Sequence, residues 1–396
     1  MINVSICVDN YLLSQGINSV VDQFFYNKTI FESKNINICS VYDYHASYTS
    51  IPNRHRSNGL DYKCKIKQNL KKTFFYKTLI VETLLIMFKR ILRGRITCKL
   101  FIDRNNSDIF ICQDVFMGYF YLKCREKKKR TILPKIVYMT HIHDDEMEQI
   151  LMTYPKISGT IVEKKMRKIF KYVYQRSDAI VTICNSAKSS LEKNLKNKNI
   201  RTIYNSVQDI RIEREPVDYS NIKFVMASSL TERKGMDLLI KILEQLDEII
   251  QGKCEFHIYG DGICFEMLKK TSQKLKKICL KLYGRVERPY RLYGDKDIFL
   301  MTSRDECLPM SILEAMSIGM PIFSTNVGAI NELIINNVNG ILMEPEVNSI
   351  VTIIEAVLLR KYNLVQMGIE SRKIFLSKFS SQQWCNEFTD LLNAIS

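Results

Sequence analysis

The sequence predicts an α/β protein made of two doubly wound halves, each a parallel sheet covered by helices on both faces. Three observations carry that prediction. A chain of 396 residues with 46% hydrophobic content is longer than one core usually holds, about 250 to 300 residues. Apolar strand-like runs alternate with segments of helical period along most of its length. Glycines also recur where such runs end, as in "IYGDG" (258–262), the place where a chain must turn sharply or let a ligand near the backbone.

In the first half, "INVSICVD" (2–9) leads through "SQG" into the helical "INSVVDQFF" (17–25). Residues 45–80, rich in Ser, Asn, His and Lys, are the least patterned and are expected to hold a long loop. Strands are expected again in "DIFICQD" (108–114), "KIVYMTH" (135–141), "DAIVTIC" (178–184) and "IRTIYNS" (200–206). A polar stretch over 207–220, with Pro216 inside it, reads as a linker. The second half is cleaner. "IKFVMASS" (222–229) precedes a helix over 235–250 in which Leu238, Leu239, Ile242, Leu243 and Leu246 recur at helical spacing. There follow "CEFHIYGDG", a lysine-rich helix, "ICLKLYG", "DIFLMTSR", a helix begun by Pro309, "PIFSTNVG", another helix, and "NGILMEP". The final "SSQQWCNEFTDLLNAIS" (380–396) is an amphipathic helix with Trp384, Phe388, Leu391 and Leu392 on one side. The expected division is therefore a first domain over 1–206, a linker over 207–220 and a second domain over 221–379.

The net charge of +16 is unevenly spread: residues 1–220 hold 37 Lys and Arg against 21 Asp and Glu, and residues 221–396 hold 21 against 21. The densest clusters lie at 63–72, 89–95, 125–130 and 163–171. A basic half beside a neutral one suggests an anionic partner for the first domain: nucleic acid, an anionic membrane surface or a phosphate-bearing substrate. Twelve cysteines stand singly, several inside apolar runs, and read as reduced residues of a reducing compartment. No apolar run approaches the roughly 18 to 20 residues of a membrane span, and the first residues carry no secretory pattern, so a cytoplasmic protein is expected.

The chemistry concentrates in "SRDECLPMSILEAMSIGMPI" (303–322). After a strand the chain turns through Arg304, Asp305 and Glu306, and Pro309 suits a first helical position because its missing N–H is not needed there. Glu306 then lies just before a helix tip and Glu314 a turn or more inside. Two carboxylates flanking a helix N-terminus fit a ligand with polyhydroxylated ends and a phosphate centre, the acids accepting hydroxyl protons and the helix tip facing the phosphates.

These residues resemble the large retaining glycosyltransferase family 4, of the GT-B fold, in which two Rossmann-like domains face each other across a cleft. The family's E-x7-E and "EAMA-G-PV" are matched by Glu306, Glu314 and "EAMSIGMPI". Its "KG-x-D-L-L", "GDG" and "GG-x-x-E…NG" segments are matched by "LTERKGMDLLI" (230–240), "IYGDG" and "VGAINELI…NGILMEP" (327–345). The first half contributes "DAIVTICNSAKSSL" and "IYNSVQ", and before residue 135 the likeness is weak.

The resemblance implies that Glu306 is the carboxylate beside the donor sugar, that Glu314 holds the nucleotide ribose, and that Lys234 is the cation on the donor diphosphate. It implies further donor contacts from Ser229, Gly260, Asp261 and Gly262, and from Arg285, Leu308, Pro309 and Met310. The chain departs from the family at Ser228-Ser229, where Gly-Arg is usual, and Arg233 is the candidate replacement. It departs again at Gln15-Gly16, where the family's loop is Gly-Gly and from which Gly16 would contact phosphate. "THIHDDE" (140–146) looks like a metal-ligand cluster but closes a strand, and the resemblance assigns His141, with His143 second, to the reacting sugar and acceptor. "DKD" (295–297) spells a metal-binding D-x-D, yet Asp297 begins a buried-looking strand and reads as structural, so no metal is expected. The implied partners are a nucleotide-sugar, a glycan or polyprenyl-diphosphate-linked acceptor and an anionic membrane surface, with no nucleic acid. The last helix is expected to pack back on the first domain. The setting implied is bacterial surface polysaccharide or lipopolysaccharide synthesis at the inner face of the cytoplasmic membrane. The alternatives are a nucleotide-sugar epimerase of similar fold and a basic nucleic-acid binder.

Overall fold

A computed structural model describes residues 1–8, 16–43, 45–50, 79–104, 106–127, 133–143, 145–195, 199–210, 222–251, 254–293 and 297–396. The chain folds into two compact units, Met1–Ile203 with Cys385–Ser396, and Tyr204–Trp384.

In the first unit the strands are β1 (Ile2–Cys7), β2 (Ile36–Tyr42), β3 (Ser47–Tyr48), β4 (Ile109–Cys112), β5 (Lys135–Thr140), β6 (Ala179–Thr182) and β7 (Ile200–Thr202). Among the described residues they form one sheet in the order β3-β2-β1-β4-β5-β6-β7, parallel throughout except for β3, which runs against β2. The central strands are apolar on both faces because helices cover both, as parallel sheets require. One face packs Phe101, Phe110 and Tyr121 as mutually tilted rings with centroids 4.5 to 5.8 Å apart. The helix Ser381–Ile395 contributes its residues from Cys385 onward to this unit, where Phe388 meets the ring of Phe24 edge-on at 5.0 Å. Phe388, Leu391 and Leu392 are fully buried, which accounts for the apolar side of that helix.

The second unit holds β8 (Lys223–Ala227), β9 (Cys254–Tyr259), β10 (Ile278–Leu282), β11 (Asp297–Met301), β12 (Ile322–Thr325) and β13 (Gly340–Met343). All are parallel, in the order β10-β9-β8-β11-β12-β13. From β8 the chain steps outward one way through β9 and β10, and from β11 the other way through β12 and β13. The reversal falls between β8 and β11, and in an open parallel sheet such a point leaves a crevice beyond the strands' C-terminal ends. Both units are thus doubly wound and Rossmann-like, as the sequence predicts.

Some expectations need correction. The helix begun by Pro309 spans Met310–Ile318, and Pro309 is its cap in extended conformation, its carbonyl accepting from the Ile312 and Leu313 N–H groups. The physical reason for the proline is unchanged, since a cap residue also leaves its N–H outside the helix. The helix expected between "PIFSTNVG" and "NGILMEP" is only a 3-10 turn, Ile330–Glu332. Asn339 ends it by accepting the Ile335 N–H (2.7 Å) and donating to the Leu333 carbonyl (3.1 Å), groups that a continuing helix would use itself. Asp297 is buried at the first position of β11, while Asp295 lies outside the described residues. Also outside them are 51–78, most of the expected long loop with the 63–72 basic cluster, and 211–220 of the expected linker.

The turn after β9 depends on Gly260, whose φ is +145° and where a Cβ would stand 1.8 Å from the Ser228 carbonyl oxygen. Gly284 has φ of +66° with open space around it. Gly260→Ala should therefore cost about 3 kcal/mol or more and Gly284→Ala only about 1 kcal/mol, read from urea midpoints; equal losses would show that the close approach to Ser228 is not what fixes this turn.

Candidate active site

The site is built from the loops that follow β8, β9, β10 and β11. After β8 the chain makes a 3-10 turn, Glu232–Lys234, ended by Gly235 at φ +71°. A Cβ on Gly235 would lie 1.8 Å from the Thr302 carbonyl oxygen, so only glycine lets this turn rest on the end of β11. Thr302 fastens the contact from the other side, its hydroxyl donating to the Gly235 carbonyl at 3.2 Å. Lys234 is thereby held against Glu306: its ammonium hydrogen-bonds the Glu306 Oε1, which also accepts from the Ser303 hydroxyl at 2.7 Å. Both side chains are largely withdrawn from water, Lys234 at 14% exposure and Glu306 at 6%. The Glu306 carbonyl accepts from the Ala329 N–H (3.3 Å), which ties the loop after β12 into the same cluster.

An arginine clamp braces the turn from outside. Arg304 donates to both oxygens of Asp237 (2.6 and 2.7 Å) and to the Glu232 carbonyl (2.7 Å), and its N–H reaches the Arg233 carbonyl at 2.9 Å. The Asp237 carboxyl is held below its usual range chiefly by this hydrogen bonding. Arg233 itself is exposed beside Asp305, donating to its carbonyl at 3.0 Å.

The glycine loops sit alongside. The Leu230 N–H donates to the Asp261 carbonyl (2.9 Å) and the Gly260 N–H to the Gly284 carbonyl (2.7 Å). Gly262 packs so close to Leu230 that a Cβ would stand 2.3 Å from its carbonyl oxygen. Ser229, Asp261 and Arg285 are exposed, and Leu308 is buried.

Glu314 lies on the second turn of Met310–Ile318 in a different environment. Its carboxyl has no hydrogen-bond or ion-pair partner among the described residues, and burial pushes its pKa up to about 7. Beside it stands Tyr293, buried, with a phenol OH that finds no partner among the described residues and a pKa raised by that burial and by the Glu314 charge. Two carboxylates on one loop and helix are thus in opposite states, Glu306 paired with a cation and Glu314 unpartnered and close to half protonated at neutral pH.

In the first unit, His141 follows β5, its Nε2 buried without a partner among the described residues and its pKa pushed down to about 4 by burial, so the imidazole is neutral near pH 7. Among the described residues no group of three His, Cys, Asp or Glu is placed to hold a metal. Gly16 opens the helix Gly16–Tyr26, and residues 9–15 before it lie outside the described part.

The structure therefore joins Lys234, Arg233, Ser229, Gly260, Asp261, Gly262 and Glu306 through one hydrogen-bonded set of loops. Residue patterns had left out Ser303, the Arg304–Asp237 clamp and Tyr293. A hydroxyl three residues before Glu306 and an acid two after Gly235 were visible signals for the first two; Tyr293, outside any motif, gave none.

Two family models match consecutive stretches: Glycosyl transferases group 1 over residues 207–374 and Glycosyltransferase Family 4 over residues 79–211. An uncharacterised glycosyltransferase of Methanocaldococcus jannaschii is 30% identical over 182 residues, 46% of this chain. The chain spans about half the length of that relative (49%) and of a second from the same organism (42%). The O-antigen biosynthesis glycosyltransferase WclY of Escherichia coli is 21% identical over 324 residues, 74% of this chain and 88% of that one. Among solved structures, the apo form of the lipopolysaccharide outer core galactosyltransferase WaaB has TM-score 0.65 at 18% identity, covering 100% of this chain and 99% of that one. Anabaena HepE in complex with UDP has TM-score 0.66 at 14% identity and covers 100% of both chains. At such identities these two speak for the fold alone.

The raised Glu314 pKa has a stability consequence. Because the folded value of about 7 exceeds the ordinary 4.5, folding favours the protonated form, and the stabilisation present below about pH 4.5 is lost as pH rises through 7. Glu314→Gln should remove that slope and gain up to about 3 kcal/mol over the native chain at pH 8, with little difference at pH 4.5. Urea unfolding at the two pH values checks it; parallel stability curves would mean that Glu314 is solvated.

Proposed function

Since the chain belongs to the family 4 glycosyltransferases of the GT-B class, we propose that it is a retaining enzyme that moves a sugar from a nucleotide-sugar to a glycan or polyprenyl-diphosphate-linked acceptor. The setting proposed is bacterial surface polysaccharide or lipopolysaccharide synthesis, at the inner face of the cytoplasmic membrane. The likeness to WclY and the WaaB fold supports that setting, and the HepE complex with UDP supports a nucleotide-sugar donor.

The observation that carries the reading is the Lys234–Glu306 pair beside a helix tip at the point where the strand order reverses. Breaking a sugar–phosphate bond puts negative charge on the departing diphosphate and oxocarbenium-like charge on the anomeric carbon. Lys234 has three N–H donors, so it can keep Glu306 in place while reaching a phosphate oxygen. The first N–H groups of Met310–Ile318 add a positive dipole end. In this reading those groups neutralise the leaving group without a metal. Glu306, aligned by Ser303 and Lys234, holds sugar hydroxyls and favours the developing positive charge. Glu314, unpartnered and easily switched between acceptor and donor, holds the ribose hydroxyls. Retention follows if the acceptor attacks the face the phosphate leaves, its hydroxyl proton passing to the departing phosphate oxygen. His141, neutral and with a free Nε2, is the candidate contact to the reacting sugar.

Removing one member of a buried ion pair costs stability as well as function, so the test needs both. Lys234→Met should lower kcat/KM at least 100-fold, about 3 kcal/mol, and destabilise the fold. The double variant Lys234→Met/Glu306→Leu should recover stability but not transfer. A thermal-shift panel of nucleoside diphosphates and their sugar conjugates, UDP first, identifies the donor, and product analysis separates transfer from epimerisation of a free sugar nucleotide. Transfer restored along with stability in the double variant would remove the pair from the mechanism.

A further inference from the structure

Resting on the reading that the acceptor is lipid-linked, we propose that the helical segment 79–104 is an in-plane membrane anchor that lays one face on an anionic bilayer surface. The segment runs as one rod: α-helix Leu79–Ile86, a π turn Met87–Ile91, and α-helix Leu92–Arg104. One face is seated in the first unit through Glu82, Ile86, Gly94, Thr97, Cys98 and Phe101, all buried. Gly94 makes the seat close, since a Cβ there would lie 2.6 Å from the Met117 N. Glu82 accepts the Lys156 N–H at 2.7 Å, which accounts for the buried acid.

The opposite face is apolar and exposed. Ile80, Leu84, Met87, Leu92 and Ile96 all point to solvent, Ile80 at 72% exposure. The π turn keeps them together. An α-helix turns by about 100° per residue and a π turn by less, so the five π residues hold back the rotation by roughly a quarter turn. That brings Leu92 and Ile96 round to the side of Ile80 and Leu84, and puts Gly94 and Cys98 on the buried side of Glu82 and Ile86. Without it Gly94 would face outward.

The charges select the occupant. Residues 89–104 carry Lys89, Arg90, Arg93, Arg95, Lys99 and Arg104 against the single acid Asp103. Arg95 and Lys99 are exposed on the apolar side and have no acidic partner among the described residues. A second copy of the chain would set these cations against their own kind, whereas an anionic lipid surface accepts both the cations and the apolar side chains between them. Among the described residues no helix is long and apolar enough to cross a membrane, so the segment would lie in the surface plane.

The test is sedimentation of the full chain with vesicles of mixed phosphatidylglycerol and phosphatidylcholine, with pure phosphatidylcholine as the neutral arm. Native protein should bind the anionic vesicles at least ~10-fold more tightly than neutral ones, and Ile80→Gln/Leu84→Gln and Arg95→Gln/Lys99→Gln should each weaken that binding ~10-fold or more with unchanged melting temperature. Leu84→Trp gives a second readout, because the native Trp384 is buried: its emission should shift to the blue when anionic vesicles are added. Native binding by Ile80→Gln/Leu84→Gln, no binding by the native chain, or a solution dimer that this double variant dissolves would each overturn the anchor. A nucleotide thermal shift that persists in a chain unable to bind vesicles would sink the anchor and leave the transferase reading standing.

Discussion

The contact between Lys234 and Glu306 is the interaction on which the loop cluster at the strand-order reversal of the second unit depends. Two charges nearly out of water are tolerable only when they neutralise each other at hydrogen-bond distance with further donors on the carboxylate, and Ser303 supplies one. Reaching that distance requires two loops from neighbouring strands to touch backbone to backbone. Gly235 against Thr302 is that touch, and no side chain fits it. Arg304 then locks the approach by holding Asp237, Glu232 and the Arg233 backbone together. The glycine, the clamp and the ion pair form one arrangement, in which the backbone geometry comes first and the electrostatics follow from it.

The same helix tip leaves its two acids in different states because it gives them different surroundings. Glu306 sits before the cap, where a lysine and a hydroxyl reach it. Glu314 sits a turn inside, beside a buried tyrosine and, among the described residues, nothing that stabilises its charge. Burial without a partner moves a carboxyl toward neutral pH, which lets it both accept and donate hydrogen bonds. Burial with a partner keeps the other as a fixed acceptor. Such a separation of two acids by environment is a general way for one site to perform two polar tasks.

Much of this was legible in the sequence because the second unit writes its geometry in local signals. Strand runs buried on both faces read as continuous apolar stretches, Gly235 and Gly260 mark positions where only glycine meets the backbone's demand, and Pro309 marks where a helix starts. What was not legible depends on contacts between segments distant in sequence. Pro309 fell one position outside the helix because proline's tolerance is similar at the cap and at the first turn. The helix expected after Gly328 gave way to a 3-10 turn because Asn339 competes for its backbone groups. Arg304 finds Asp237 across 67 positions, and Tyr293 meets Glu314 through packing alone. In the first unit, "KRILRGR" (89–95) reads only as a basic cluster until the π turn shows which of its residues share a face with Ile80 and Leu84.

The distribution of charge now has a physical sense that the total conceals. Residues 221–396 balance 21 basic against 21 acidic side chains, so under the proposed function the attraction of a diphosphate to this half cannot come from a general positive field. It must come from placement: one ammonium held at a helix tip in a partly dry crevice, where low dielectric makes a single contact strong. Residues 1–220 carry the surplus, 37 against 21, and exposed charge acts in salt only over about 8 Å. A surplus of that kind is suited to an extended anionic surface met face to face, and poorly suited to selecting one phosphate. Small-ligand affinity built from position and surface affinity built from number are separate solutions, and the two proposals assign them to separate halves of the sequence.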